Sequence, residues 1–251
     1  MSPRGASPGA PFPAGGGEPP RRRRSALVLG LIVAIGLAVA SGLAWLGVWQ
    51  VQRLHWKEAL IARVDARVHA APVAAPAPAA WGRLTRENAE YLRIELTGRY
   101  LAGHDTFTRA ATEQGPGWWV MTPFADARGF VVLVNRGFVP AKAAPPSPRT
   151  RAVGLLRFSE PRGGFLHRNV PLEDRWYSRD VAAIAARRSL TNVAPYFVDA
   201  ERDPTDKTGP VGGLTVIQFP NNHLVYAITW FALAAMVLGL VFVILREERR
   251  R

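Results

Sequence analysis

Two long stretches of the chain are apolar and contain no charged side chain. They are residues 26–49 and residues 224–245. An α-helix needs about 20 apolar residues to cross the ~30 Å hydrocarbon core of a lipid bilayer, so both stretches are long enough. The pattern therefore predicts two transmembrane helices, at residues 25–49 and 223–245.

Clusters of arginine flank both stretches and predict the orientation of the chain. Four consecutive arginines form residues 21–24, and four more lie among residues 246–251. Basic residues beside transmembrane helices accumulate on the cytoplasmic side. Both tails, residues 1–24 and 246–251, are therefore expected to be cytoplasmic, and residues 50–222 are expected to lie outside. The N-terminal tail is rich in Pro, Gly, Ser and Ala and is expected to be disordered.

The first stretch has an alternative interpretation as a cleaved signal peptide. The arginine cluster would then be its basic end, and Ala38-Val39-Ala40 its cleavage site. A signal peptide usually becomes polar after that site, whereas this stretch stays apolar as far as Trp49. We therefore expect the helix to be retained. Apolar residues keep a helical spacing further on, so it should continue to about Ala70.

Short apolar segments lie between the two stretches and alternate with Gly- and Pro-rich segments, as in β-strands joined by turns. The predicted strands are 92–96, 118–121, 130–134, 154–158, 196–198 and 214–219. A stiff linker is predicted at 70–80, turns at 115–117 and 135–137, a loop at 140–150, and a helix at 178–188 with Ser178 as its N-cap. A small antiparallel sheet or partial barrel follows. The predicted fold class is a membrane protein in which two transmembrane α-helices flank a β-rich α+β extracytoplasmic domain.

Small residues on the two apolar stretches offer a surface for helix packing, because they let helix backbones approach closely in lipid. On the first stretch they recur every four residues, at Gly30, Ala34, Ala38 and Gly42. On the second they are Ala227, Ala235 and Gly239. These positions either form a contact between the helices or reflect only the abundance of Ala and Gly in the chain.

The composition argues against several classes of protein. The chain has no Cys, which excludes disulfides, thiolate metal sites and Cys nucleophiles. The net charge of +13 would suit nucleic acid, but the basic clusters flank apolar stretches, so the lipid bilayer is expected as a partner and nucleic acid is not. No hydrolase elbow, zinc-protease motif or nucleotide-binding loop occurs, so an enzyme is not expected.

One histidine stands at the outer edge of the second apolar stretch. On a helix, His223 shares a face with Tyr226 and Trp230. An imidazole above an apolar, aromatic wall would suit a flat amphipathic cofactor such as haem, with the iron on the imidazole. The residues alone also allow a histidine that is capped by Asn221 or Asn222 and only anchors the helix at the interface.

Four segments carry motifs that occur in the same order in one known family. They read LGVWQVQRLHWK at 46–57, VLVNRGFVP at 132–140, NVP followed by RWYSRD within 169–180, and PNNHLVYAITWF at 220–231. Together they resemble the surfeit locus protein 1 family of cytochrome c oxidase assembly factors. This family usually has Trp where the chain has Phe138, a replacement that keeps an aromatic ring.

The resemblance implies a function in the assembly of haem–copper oxidase. Family members receive haem a from its synthesis machinery and deliver it to the catalytic subunit. The resemblance makes His223 the axial ligand of the haem iron. Tyr226 and Trp230, which share its helix face, would then lie against the macrocycle. Arg53 and Arg136 are candidate partners of the propionates, because a guanidinium matches carboxylate geometry. The expected location is the bacterial cell inner membrane, with residues 50–222 on the periplasmic side.

Two other hypotheses remain open at this point. In the first, the chain is a membrane-anchored scaffold that docks oxidase subunits without binding a cofactor. Trp118, Trp119, Trp176 and Tyr177 would then be anchors of the interface. The second hypothesis, a membrane-anchored enzyme, has no motif in its favour. Haem that co-purifies with the protein would distinguish the haem-binding hypothesis from both.

Overall fold

The computed structural model describes residues 25–163, 167–203, 209–215, 217 and 219–250. The chain divides into two compact units. The helical unit consists of Met1–Leu54 and Asn221–Arg251, and the barrel unit is His55–Pro220. The N-terminal tail predicted to be disordered, residues 1–24, lies outside the described residues.

Long helices stand near both ends of the described chain, with short strands and helices between them. In chain order the elements are α1 (Ala26–His69), β1 (Val73–Ala74), α2 (Pro78–Trp81), α3 (Arg86–Ala89), β2 (Arg93–Tyr100), β3 (Thr106–Thr112), β4 (Gly115–Asp126), β5 (Val131–Val139), β6 (Arg151–Phe158), α4 (Val181–Arg187), β7 (Val193–Ala200) and α5 (His223–Arg250). Within the described residues, α1 and α5 are the two helices long and apolar enough to cross a membrane. The helix predicted to continue to about Ala70 is confirmed, since α1 is unbroken as far as His69.

The two long helices have packing faces that repeat every seven residues. The buried residues that are seven positions apart are Ala40 and Gly47 on α1, and Ala227, Ala234 and Val241 on α5. A side chain at Gly47 would enter the ring of Phe231, since its Cβ would lie 2.7 Å from Phe231 Cε1. Seven-residue repeats with small residues are typical of two helices in close contact along their length.

The predicted stripe of small residues on α1 is not this packing face. No described atom lies within 4 Å of a Cβ built on Gly30 or Gly42, and the same holds for Gly239 on α5. A four-residue step advances about 40° around a helix with 3.6 residues per turn. A seven-residue step drifts by only ~20°, so it stays on one face. The four-residue pattern was therefore the wrong guide to the contact.

The barrel unit is built on one sheet whose central strands close on themselves. Among the described strands the order is β1-β2-β6-β7-β5-β4-β3, and β2 also pairs with β4. The strands β2, β6, β7, β5 and β4 therefore form a closed ring. The pairs β1–β2 and β5–β7 are parallel, and the other pairs are antiparallel. The predicted fold class is confirmed, and the sheet is a closed mixed barrel.

Apolar side chains from both faces of the strands form two cores. The first joins residues of β2, β4, β5, β6 and β7, including Ile94, Leu96, Phe124, Val132, Val134, Leu156 and Tyr196. The second lies under α4 and includes Met121, Leu133, Trp176, Ile184 and Phe197. The continuous apolar run at 130–134 follows from this, because alternate residues of β5 enter different cores.

Two glycines allow neighbouring barrel strands to approach closely. A Cβ on Gly98 of β2 would fall on the carbonyl oxygen of Ala125 in β4. A Cβ on Gly154 of β6 would fall on the carbonyl oxygen of Asp199 in β7. Glycine within a strand commonly marks such a close approach of another backbone. Both positions therefore help the ring of strands to close.

The segment Asn135-Arg136-Gly137 was predicted as a turn, and this prediction is wrong. It is a β-bulge inside β5: Phe138 pairs with Trp119 and Asn135 pairs with Met121, so two residues of β5 face one of β4. Gly137 has φ +129°, and its N–H donates to Asn135 Oδ1 at 3.1 Å. Bulges and turns both use glycine at positive φ, so the same residues indicate either structure.

Three other local predictions differ from the structure. The predicted linker at 70–80 contains β1 and the start of α2, and the predicted turn at 115–117 is the start of β4. The described residues of 214–219 form no strand, and positions 216 and 218 lie outside the described residues. Proline explains the first two errors, because the first turn of a helix and strand positions that are unpaired on one side both accept it, and Pro116 pairs with β3 but not with β5.

The predicted short helix after residue 178 is α4, but its N-cap is Asp180. The Asp180 side chain accepts a hydrogen bond from the backbone N–H of Ala183 at 3.2 Å. Ser178 is buried, and its Oγ donates to the carbonyl oxygen of Glu160 at 2.7 Å. Ser and Asp are equally good caps by type, so their sequence positions alone did not select the right one.

Candidate functional site

His223 is the first residue of α5, and a side chain from α1 holds one of its ring nitrogens. Its Nδ1 lies 2.7 Å from Oε1 of Gln50, within the helical unit. An amide oxygen only accepts hydrogen bonds, so Nδ1 carries the proton and donates it to Gln50. In the neutral imidazole the lone pair is then on Nε2.

The other ring nitrogen of His223 is accessible. Nε2 has no hydrogen-bond partner among the described residues. Among the described residues, two side-chain polar atoms are buried without a hydrogen-bond partner, Thr108 Oγ1 and Asn221 Oδ1. Nε2 of His223 has no partner either, but it is not one of these buried atoms. In this half-buried imidazole Nε2 therefore reaches open space. The histidine thus offers a lone pair to an incoming electrophile such as a metal ion.

Sequence reasoning missed Gln50, although it lies in the first of the four motif segments. Gln50 is only 9% exposed and follows Gly47 by three residues on the buried side of α1. A polar side chain on the packing face of an apolar helix requires a partner. That combination of a polar residue and a small-residue face was the signal available in the sequence.

The two aromatic residues predicted beside His223 occupy different environments. Trp230 is half-buried, on the side of α5 that carries the buried Ala227. Tyr226 is 54% exposed within the protein. The structure therefore places His223 and Trp230 on the packed side of α5 and Tyr226 on its exposed flank. Their role in binding a cofactor stays a prediction.

The two predicted propionate partners belong to different units. Arg53 is exposed on α1, three residues after Gln50, in the helical unit. Arg136 lies in the bulge of the barrel unit and is 8% exposed. Its guanidinium donates to the carbonyl oxygen of Pro145 at 2.7 Å and lies over the ring of Tyr100 at 5.5 Å. The propionate role of both arginines also stays a prediction.

Arg136 lines a cleft of about 410 Å³ in the barrel unit. Tyr100 and Arg149 also line it. Burial raises the pKa of the Tyr100 phenol to about 12, an effect that the charges of Arg136 and Arg149 oppose. The phenol is therefore neutral at physiological pH and presents a hydroxyl group to the cleft.

A network of buried charges lines a second cleft, of about 490 Å³, in the barrel unit. At its centre Asp199 is 3% exposed, with Oδ1 accepting from Asn135 at 2.8 Å and from Arg179 at 3.1 Å. Its Oδ2 accepts from Arg157 at 3.2 Å and from Thr215 at 3.0 Å. These bonds use the lone pairs of the carboxylate, so the network serves the stability of the barrel.

Other carboxylates complete this network. Burial disfavours ionisation of Glu160, but the hydrogen bonds and charge of Arg179 outweigh it and hold the Glu160 pKa below its ordinary value. Burial likewise disfavours the charged form of Arg157, and the carboxylates of Asp199 and Glu90 outweigh it and raise the Arg157 pKa. Arg157 therefore keeps its charge inside the fold.

The aromatic residues proposed as anchors of a docking scaffold are only partly at the surface. Trp176 is 1% exposed and donates from Nε1 to Asp174 at 2.7 Å, so the prediction that it anchors an interface is wrong. The cations of Arg109 and Lys142 lie 4.6 Å and 4.4 Å from the ring centre of Trp118. These contacts occupy Trp118 within the barrel unit itself.

These features define a β-barrel protein with two helices suited to anchoring it in a membrane. A model of the SURF1 family matches residues 37–235, and the chain belongs to this family. It is 35% identical to Surfeit locus protein 1 of Rattus norvegicus over 214 residues, 76% of this chain and 68% of that protein. Identity to the Homo sapiens protein of the same name is also 35%, over 76% of this chain and 69% of that protein. A SURF1-like protein of Monosiga brevicollis is 37% identical to this chain, over 81% of this chain and 83% of the length of that protein.

The family resemblance found in the four motif segments is thereby confirmed. The matched range contains every residue discussed as a possible haem contact, and Gln50 as well.

Proposed function

We propose that this chain is an assembly factor for a haem–copper cytochrome c oxidase, and that it binds haem a and delivers it to the catalytic subunit. The observation that carries the proposal is the state of His223. Its Nδ1 is held by Gln50 and its Nε2 is open, which is the arrangement of a histidine that ligates a metal. Membership of the SURF1 family supports the oxidase as the partner.

The chemistry of the proposed site residues fits haem as a cargo. Haem brings an iron that accepts an imidazole and an apolar macrocycle with two carboxylates at its edge. His223 would hold the iron, Trp230 and Tyr226 would contact the macrocycle, and Arg53 and Arg136 are proposed for the propionates.

A carrier must bind haem strongly enough to shield it and weakly enough to release it. One strong axial ligand satisfies both needs, because a second would slow release. The task is binding and transfer, with no covalent bond made by the protein, so we propose a non-enzymatic role. The partners would be the haem a synthesis machinery on one side and the oxidase catalytic subunit on the other.

The proposed location is the bacterial cell inner membrane, with the barrel unit on the periplasmic side. The arginine clusters at residues 21–24 and 246–251 support this orientation. A reporter enzyme that is active only in the periplasm should be silent when fused after Arg251 and active when inserted near Arg149. The opposite pattern would reject the orientation. The intact mass of the membrane-bound protein tests the signal-peptide alternative, because cleavage after Ala40 would leave a chain that begins at Ser41.

The proposed function is tested by the absorption spectrum of the full-length protein, purified in detergent from cells that make haem a. We expect a Soret band and the α-band of haem a in the purified protein. A haem-free protein that still co-purifies with oxidase subunits would reject the haem function and favour the scaffold hypothesis. Purification from cells that cannot make haem a is the matched control, and it should remove the α-band of haem a.

A further inference from the structure

The position of Gln50 calls for a physical reason. It is a buried amide on the packed side of α1, three residues after Gly47. Burying an amide without a partner is unfavourable, and an apolar side chain would pack at this position without that penalty. Its described side-chain hydrogen bond is the one to His223, at 2.7 Å. Gln50 is therefore explained by what it does to the imidazole.

The amide of Gln50 can meet the imidazole in two ways that have opposite chemical results. With Oε1 towards Nδ1, as in the structure, Nδ1 keeps its proton and Nε2 has the lone pair. With the NH₂ group towards Nδ1, the lone pair would be on Nδ1, and a protonated Nε2 could not ligate a metal. The observed orientation is the one that makes Nε2 a ligand.

The position of His223 in the helix increases the need for such a contact. His223 is the first residue of α5, where the chain has only begun to form helical hydrogen bonds. Asn221, which could have capped the imidazole, has a buried Oδ1 without a partner in the described chain. Gln50 comes from the interior of α1, a helix that is regular on both sides of it. It can therefore hold the ring of His223 in one orientation.

We propose that Gln50 is a positioning residue that holds His223 in the Nδ1–H tautomer and directs its Nε2 to the haem iron. This inference rests on the proposed haem-binding function. An acceptor on Nδ1 also makes Nε2 a stronger electron donor. A neutral amide accepts less strongly than a carboxylate, so Gln50 gives the imidazole intermediate donor strength, which suits a carrier that must release its cargo.

The experiment compares three variants of the full-length protein in detergent. Gln50→Met keeps the length of the side chain and removes the acceptor, whereas Gln50→Glu keeps an acceptor and adds charge. Gln52→Met is the matched control, because it makes the same replacement on the exposed side of the same helix. Haemin, iron protoporphyrin IX, is the probe added to haem-free protein.

The first measurement needs no haem. ¹⁵N NMR of the imidazole should show His223 as the Nδ1–H tautomer in the wild type and in Gln52→Met. In Gln50→Met we expect a mixture of tautomers. A wild-type imidazole with its proton on Nε2 would overturn the proposal.

The second measurement is made on the haemin-loaded, reduced protein. Gln50→Met should lower the frequency of the iron–histidine stretch in resonance Raman spectra and weaken haemin binding roughly 10- to 100-fold. Gln50→Glu should raise that frequency, and Gln52→Met should leave both quantities unchanged. If Gln50→Met does not fold, the upward shift in Gln50→Glu still tests the contact, and its absence counts against the proposal.

Failure of this inference can be distinguished from failure of the proposed function. If Gln50→Met matches Gln52→Met in both measurements while His223→Ala loses the iron–histidine stretch, His223 is the ligand and Gln50 does not position it. If His223→Ala keeps the stretch, the ligand is a different residue and the proposed site itself is wrong.

Discussion

Replacement of His223 by Ala should remove the haem that the wild-type protein retains, or shift its Soret band, without unfolding either unit. The substitution deletes the proposed axial ligand, so the loss of affinity should exceed the roughly 10- to 100-fold cost of losing a residue that only supports a ligand. Contact with the macrocycle can retain some haem, and for this reason a shifted band also counts as the expected result.

The fold should tolerate this change because His223 is half-buried and makes one side-chain hydrogen bond. Truncation leaves Gln50 without that bond, at a cost of about 1–3 kcal/mol. His55→Ala is the control: His55 is exposed on α1, with Nδ1 3.6 Å from a Glu58 carboxylate oxygen. If His55→Ala lost haem and His223→Ala kept an unchanged spectrum, the ligand would have been assigned to the wrong helix.

Replacement of Asp199 by Ala should destabilise the barrel unit by about 3 kcal/mol, because it leaves two buried cations with fewer partners. Arg157 and Arg179 are each 16% exposed and both donate to Asp199. The expected cost is at the low end for breaking a buried ion pair, since Arg157 retains Glu90 and Arg179 retains Glu160. The melting temperature should fall by roughly 6–12 °C for a domain of this size.

The control for Asp199 is an ion pair of the same type at the surface of the same barrel. Glu95 accepts two hydrogen bonds from Arg151, at 2.6 and 2.8 Å, but solvent reaches this pair, with the Arg151 side chain 59% exposed and that of Glu95 30% exposed. Exposed pairs contribute little to stability, so Glu95→Ala should leave the melting temperature almost unchanged. Equal melting temperatures for the two variants would show that the buried network does not stabilise the barrel.

The spacing of apolar residues predicted those helices and strands whose pattern lies within one segment of the chain. The two apolar stretches identified α1 and α5, since a charge-free run of that length has few alternatives to a membrane span. The alternation around Ile94 identified β2, in which Ile94 and Leu96 are both fully buried. In each case the evidence lies within one short segment of chain.

Features that depend on distant residues were not predictable in the same way. The bulge at Gly137 and a turn at Gly137 have the same residue preferences, and only pairing with β4 distinguishes them. Closure of the barrel depends on β2 meeting both β6 and β4, which no local pattern encodes. The partner of Asp199 in β5, Asn135, lies 64 residues away.

The candidate site also contains one residue with a local signal and one whose role depends on a distant residue. His223 could be selected from the sequence because a titratable residue at the edge of an apolar stretch is unusual. Gln50 had only the weaker signal of a polar residue on a small-residue face, and its role follows from a contact with a residue 173 positions later in the chain.

That separation of 173 residues has a consequence for biosynthesis under the proposed function. Ribosomes add about 5–20 residues per second, so His223 is made roughly 9–35 seconds after Gln50. Throughout this interval the nascent chain has α1, and later the strands of the barrel, but not the proposed ligand for iron. Haem loading must therefore wait for the last helix, and a chain released early cannot capture a reactive cofactor. Under the proposed function, the order of the elements along the chain therefore makes haem uptake depend on synthesis of α5.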